Sequence, residues 1–154
     1  MNTSDSPPFR LRAQQLATWE RDGLKAALAG AKLPVDDIAE PDRLFWRFET
    51  LNDVPVGFGG LEVHGKHALV RSVVTLPPLR KRGIGRAIIA ALETEAQLRG
   101  CEEVFVLTTT AQGLFEKRGY ARLDRSAAPA AIRATAQFSA LCPDSAVLML
   151  KRLR

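Results

Sequence analysis

Val73-Val74-Thr75-Leu76-Pro77-Pro78-Leu79-Arg80-Lys81-Arg82-Gly83-Ile84-Gly85-Arg86 is a β-branched run that breaks at two prolines, turns through two glycines and re-emerges as an apolar-striped segment ending at Gly100. The pattern predicts strand, basic turn, helix. The first backbone N–H groups of a helix have no partner within it, and they sit at the positive end of its dipole. Such a terminus suits an anionic phosphate, and here Arg80, Lys81, Arg82 and Arg86 surround it. The turn reads as a pyrophosphate cradle; the bland alternative is a solvated surface turn.

Other phosphate loops fail by position. A Walker loop ends Gly-Lys-Ser/Thr, whereas this turn continues Gly85-Arg86-Ala87. The dinucleotide fingerprint needs a third glycine where Ile88 stands. What remains, Arg80-x-x-Gly83-x-Gly85 between a strand and a helix, resembles the coenzyme A pyrophosphate loop of the GNAT N-acetyltransferases. The resemblance implies a cofactor-binding segment Arg80, Lys81, Arg82, Gly83, Ile84, Gly85 and Arg86, with acetyl-CoA as cosubstrate.

Length and composition agree with an enzyme domain of that size. A chain of 154 residues, 46% hydrophobic, buries one core without staples. The formal charge of +5 includes four positive charges from the 80–86 turn, so an anionic cofactor accounts for the excess. Aromatics make up 6%, and none interleave with a basic stretch, which argues against nucleic-acid binding. Cys101 and Cys142 suit neither a zinc site nor a disulfide framework. No run approaches a membrane span, and the expected compartment is the reducing cytoplasm. A homodimer is compatible with this reading.

Residues 1–8 read as a loose leader and Phe9 to Ala13 as a first strand. Leu16 to Ala31 reads as a helix carrying Trp19, Leu24, Ala27 and Leu28, with another helical turn at Val35 to Ile38. Strands are expected at Leu44 to Thr50, Val54 to Val63 and His67 to Thr75. Gly65-Lys66 suits a type II′ hairpin that sets Val63 opposite Ala68, Glu62 opposite Leu69, Gly60 opposite Arg71 and Gly59 opposite Ser72. After the long helix come a strand at Glu102 to Thr108, a helix at Ala111 to Arg118 closed by Gly119, a strand from Tyr120 to Leu123, a helix at Pro129 to Ala140 and a strand at Ser145 to Leu153. The order describes a single domain over 9–154 of mixed α/β class, a mostly antiparallel twisted sheet flanked by helices rather than a doubly wound sheet.

The GNAT resemblance assigns roles along this order. Val73, Val74 and Thr75 take the place where family members expose backbone groups of a bulged strand to the thioester and pantetheine, and it makes the Val74 N–H the oxyanion donor. Leu114-Phe115-Glu116-Lys117-Arg118-Gly119-Tyr120 resembles a family segment whose tyrosine protonates the departing thiolate. Here that position is Phe115, which has no proton to give, and Tyr120 falls at a packing position. Thr109 ends a strand where it lines the acyl channel or caps the next helix.

Three charged residues have two readings each. Arg71 shares a strand face with Leu69 and Val73, and Glu62 lies diagonal to it across the hairpin. They form a structural ion pair, or a pocket in which Arg71 binds an acceptor carboxylate and Glu62 takes the amine proton. Arg133 is a second carboxylate anchor or a solvated helix residue. His64 and His67 flank the hairpin turn, but a metal site needs a third ligand and the chain has no other histidine. Cys142 has no identifiable base beside it and reads as a structural thiol.

The C-terminal third narrows the resemblance. Ala128-Pro129-Ala130-Ala131-Ile132-Arg133-Ala134-Thr135-Ala136-Gln137-Phe138-Ser139-Ala140-Leu141-Cys142-Pro143, with Thr108-Thr109-Thr110-Ala111 and Gly57-Phe58-Gly59-Gly60-Leu61-Glu62, is similar to the small N-acetyltransferases associated with arsenic resistance. It implies a small primary amine as acceptor, an amino acid or an amino-acid-like compound with arsenic-containing amino acids as one candidate, acetylated by direct attack in a ternary complex. The alternatives are a non-catalytic acetyl-CoA sensor, which Phe115 in place of tyrosine favours, and an enzyme that acetylates protein termini or lysines.

Overall fold

The computed structural model describes residues 10–33, 35, 43–76, 83–138 and 145–153. The expected leader, most of the turn at 35–38, Arg80 to Arg82 and Cys142 lie outside the described residues. Within them the order is β1 (Arg12–Gln15), α1 (Asp22–Gly30), β2 (Arg43–Glu49), β3 (Pro55–His64), β4 (His67–Thr75), α2 (Ile84–Leu98), β5 (Glu103–Thr108), α3 (Gln112–Lys117), β6 (Ala121–Arg122), α4 (Ala130–Arg133) and β7 (Val147–Arg152). The strands form one sheet in the order β1-β2-β3-β4-β5-β7-β6. Every neighbouring pair is antiparallel except β4 and β5. The mixed α/β expectation holds.

Successive residues of a strand face opposite sides, and the core divides accordingly. Trp46, Leu61, Ala68, Val70 and Val106 pack against Ile84, Ile88 and Leu92 of α2. Phe45 and Phe58 pack on the other face against Leu24 and Leu28 of α1, and Leu69 and Phe105 pack there with Ile132 of α4. A Cβ added to Gly59 would come within 3.1 Å of Leu92, Ile88 and Phe48, so the missing side chain is what lets α2 lie close on the sheet. Gly60 plays the same part toward Phe45, whose ring would be 2.6 Å from an added Cβ. The space opposite Arg71 is therefore filled core.

Gly65 takes φ +63, as the hairpin requires, and the pairs Val63↔Ala68, Glu62↔Leu69 and Gly60↔Arg71 form as expected. Gly59↔Ser72 does not. The register shifts between Phe58 and Gly60, so that Phe58 meets Val74 and two β4 residues, Ser72 and Val73, oppose the single Gly59. This bulge holds Ser72 at φ +59.

Three other elements differ from expectation. The first strand lies at Arg12–Gln15, not Phe9 to Ala13; it is a polar edge strand exposed throughout, so no apolar alternation marks it. The helix at 16–31 divides, because the Leu16 N–H is held by the Phe45 carbonyl; a 3₁₀ turn at Thr18–Glu20 precedes α1, and Trp19 is 85% exposed. The helix at 129–140 is interrupted: α4 spans Ala130–Arg133, the Thr135 hydroxyl donates to the Ile132 carbonyl at the break, and helical backbone resumes over the described residues 136–138.

Candidate active site

The parallel ladder between β4 and β5 is short, running from His67↔Glu103 to Val70↔Val106. Beyond it β4 continues to Thr75 beside β3 alone, and β5 continues to Thr108 beside β7 alone. The strands part where the bulge begins. A cleft of about 1190 Å³ fills the opening, with Val73, Val74 and Thr75 on one wall and Thr108, Thr109 and Thr110 on the other. Gly85 at the start of α2 and Gly113, Leu114 and Phe115 of α3 line one end, and Gly30 to Leu33 at the C-terminal end of α1 line another part.

The direction of the backbone amides on the β4 wall follows from register. The Leu76 N–H donates to the Val56 carbonyl at 2.9 Å. Hydrogen-bonded pairs recur at every second residue of an antiparallel ladder, so Val74, paired with Phe58, also turns its N–H toward β3. The amides of Val73 and Thr75 then face the cleft. This corrects the sequence expectation that made Val74 the oxyanion donor: the bulge moves the outward amides to its two neighbours.

Gly83 precedes α2 at φ +79, and its carbonyl accepts from the Ala87 N–H. A Cβ on Gly85 would stand 3.3 Å from Leu114 and 3.7 Å from the Thr75 hydroxyl, so the loop, α3 and β4 converge there. Ile84 buries its side chain in the α2 face of the core and offers the site only backbone. Arg86 is half-buried, and its Nε has no hydrogen-bond partner among the described residues. Thr109 is exposed in the cleft, while the Thr108 hydroxyl accepts from the Ala111 N–H at 2.9 Å and starts α3.

Glu62 and Arg71 are not what a pocket needs. Glu62 is fully buried and does not line the cleft. Its Oε2 lies 3.1 Å from an Arg71 terminal nitrogen and 3.7 Å from Arg43 Nε, and its Oε1 is 3.3 Å from His64 Nε2. Three basic neighbours hold the carboxylate behind the β4 wall, which removes it from reach of an acceptor amine. Arg71 borders the cleft, but its side chain is wholly buried, and the little of the residue that is exposed is main chain. Its guanidinium lies over the Phe45 ring, donates to Glu62, and donates from Nε to Ser72 Oγ at 3.1 Å. Of the two sequence readings, the geometry matches the ion pair. Arg133 is exposed on α4 and is not among the residues that line the cleft.

Tyr120 is also withdrawn. It is 3% exposed, stands edge-on to Phe115 at 5.0 Å and does not line the cleft. Burial, and after it the Glu93 carboxylate, push its phenol well above the ordinary tyrosine range. Glu93 itself accepts from Arg118 at 2.6 Å and from Lys151 at 3.0 Å, tying α2, α3 and β7 together under the cleft floor.

Lys32, Ser72 and Lys117 line the cleft although sequence reasoning gave none of them a role there. Lys32 caps α1: its N–H reaches the Ala29 carbonyl and the Leu33 N–H the Leu28 carbonyl, a Schellman closure with lysine at φ +59 in the place glycine usually takes. No sequence signal marks a lysine in that position.

Residues 9–120 match the model of the acetyltransferase (GNAT) family. The chain belongs to that family. An uncharacterized N-acetyltransferase of Chlorobaculum tepidum is 36% identical to this GNAT chain over 64 residues, which are 42% of the chain and 41% of that relative. N-acetylglutamate synthase from Neisseria gonorrhoeae, complexed with coenzyme A and N-acetyl-glutamate, superposes with a TM-score of 0.76 at 16% identity. The superposition covers 94% of this chain and 35% of the synthase. Rv2747 from Mycobacterium tuberculosis, in complex with CoA, gives 0.72 at 23% identity over 94% of this chain and 99% of that one. At these identities the structural likeness is one of fold. The GNAT chain therefore spans well under half of the curated relative and of the synthase it matches. No described helix is long and apolar enough to cross a membrane.

Proposed function

We propose that this GNAT chain is an N-acetyltransferase that moves the acetyl group of acetyl-CoA to the primary amine of an amino acid or amino-acid-like small molecule. The observation that carries the reading is the parting of β4 and β5 at the bulge, which opens a cleft walled on one side by unpaired strand edge. Acetyl-CoA supplies an acyl thioester there. The residues fit such a group: Gly85 clears the crossing with Leu114, and Arg86 brings an unpartnered buried Nε to the helix terminus. Arg80, Lys81, Arg82 and Gly83 complete the pyrophosphate cradle. Thr109 lines the opposite wall and Phe115 the end beside Gly85.

As the amine adds to the thioester carbon, negative charge would gather on its oxygen, which the cleft-facing Val73 N–H would meet. The C–S bond would then break and coenzyme A leave as its thiolate, protonated by water since Phe115 has no proton to give. The Thr75 amide, also facing the cleft, would hold the pantetheine arm. With Glu62 walled off, the amine loses its proton to water, which suffices near neutral pH for an α-amino group of pKa about 7.7–8.0. The charged residues that line the cleft are Lys32, Arg71 and Lys117, and no aspartate or glutamate is among the described lining residues. That field favours an acceptor bearing a carboxylate. The class takes in the arsenic-bearing amino acids implied by the C-terminal resemblance.

The test is coenzyme A release from acetyl-CoA with free amino acids, their arsenic- and phosphorus-bearing analogues, and the matching decarboxylated amines. Turnover preferring the carboxylate-bearing member of each pair supports the reading. Equal turnover with both members overturns the acceptor class, and no turnover with intact acetyl-CoA binding overturns the activity.

A further inference from the structure

Backbone strain and cleft coincide in this molecule. Three described residues other than glycine have positive φ: Lys32, Asp53 and Ser72. Asp53 sits in the β2–β3 turn, where such a conformation is common. The other two line the cleft. A side chain held in the left-handed region carries a conformational cost and persists where the surroundings or a function require it. At Ser72 glycine would satisfy the bulge without that cost, so the hydroxymethyl group itself needs a reason.

The hydrogen-bond inventory supplies one. Ser72 Oγ accepts from Arg71 Nε at 3.1 Å. The guanidinium is fixed behind it by Glu62 and by the Phe45 ring, and has no exposed side-chain surface of its own. A hydroxyl that accepts from a cation has its remaining O–H made a stronger donor, since bonds in a chain polarise one another. No described residue accepts that O–H. Ser72 is half-buried in the cleft wall, beside the outward amide of Val73. Among the described residues, this oxygen links the buried positive charge to the cleft wall.

We infer that Ser72 is a specificity-determining residue: its hydroxyl donates to the carboxylate of the acceptor, with Arg71 and Glu62 as positioning residues that orient and polarise it. The inference rests on the amino-acid acceptor proposed above and replaces direct capture by Arg71 with capture through Ser72.

The experiment compares wild type, Ser72→Gly and Ser72→Ala on one amino-acid acceptor and its decarboxylated amine. Acetyl-CoA affinity, measured by calorimetry, serves as the check on folding. Glycine keeps the bulge conformation and alanine keeps a Cβ, so the two variants separate backbone from hydroxyl. In both, KM for the carboxylate-bearing acceptor is expected to rise about tenfold or more, the scale of a lost bond to a charged group. Acetyl-CoA affinity stays near wild type, and the preference between the acceptors, read as the ratio of their kcat/KM values, collapses. A variant that binds acetyl-CoA normally and keeps the wild-type preference overturns the role of Ser72 while leaving the acceptor class intact. A wild type without any preference overturns the acceptor class, and the role of Ser72 with it.

Discussion

Lys32 shows how one residue serves two opposed demands. Its left-handed cap conformation costs about 1 kcal/mol relative to glycine, yet it brings an ammonium to the cleft. Lys32→Gly is expected to raise unfolding free energy by about that amount in urea titrations while raising KM for a carboxylate-bearing acceptor. A variant both less stable and kinetically unchanged would remove lysine from the site. Glycines behave in the contrary way. Gly100 and Gly119 close their helices at φ +83 and +92 through paired Schellman bonds, and both were legible because glycine after an apolar stripe has few other uses. For Gly59 the sequence suggested only a cross-strand partner; that α2 packs over it follows from the packing. Gly59→Ala is expected to cost about 1–3 kcal/mol, by overpacking against Leu92 and Ile88, and chemical denaturation would read it directly.

At the scale of elements, pattern and propensity located β2, β3, β4, α2, β5 and β7 to within a few residues, because each carries a buried apolar face. The same reasoning misplaced β1, whose four residues are exposed, and ran through the break after α4, where residues 134–135 leave the helix before it resumes at 136. The bulge was foreseen from resemblance alone. Its effect on which amides face outward was not, since a one-residue register shift leaves no mark on composition. The group formed by Glu93, Arg118, Lys151 and Tyr120 joins α2, β7 and the turn between α3 and β6, and makes stability sensitive to alkaline pH. The folded phenol of Tyr120 ionises well above the unfolded value of about 10, so the stability it contributes is intact below that pH. It is lost as pH rises through the folded pKa. Tyr120→Phe should therefore flatten the fall in unfolding free energy between neutral pH and about pH 11 relative to wild type. An equally steep fall in the variant would assign the alkaline loss to other groups.

Across the whole molecule, the sheet consists of two parts joined by four residue pairs of β4 and β5. A ligand lying in the cleft touches both parts. Acetyl-CoA at about a hundredfold excess over its Kd should add about 2.7 kcal/mol of apparent stability and slow amide exchange on both cleft strands, not on β4 alone. Protection confined to one strand would mean that the cofactor rests on one wall. The sequence could announce the loop that holds one end of the cleft, but the opening itself arises from where a ladder stops, and that is a property of pairing rather than of any residue type.

The short joint between the sheet parts has a consequence for optical measurements. Both tryptophans, Trp19 and Trp46, belong to the part that ends at β4, and Trp46 is buried there beneath the Arg99 guanidinium. The single tyrosine, Tyr120, belongs to the other part. Indole fluorescence and phenol absorbance are thus native reporters on opposite sides of the joint. Their unfolding curves, overlaid without and with acetyl-CoA, read out how tightly the two parts melt as one.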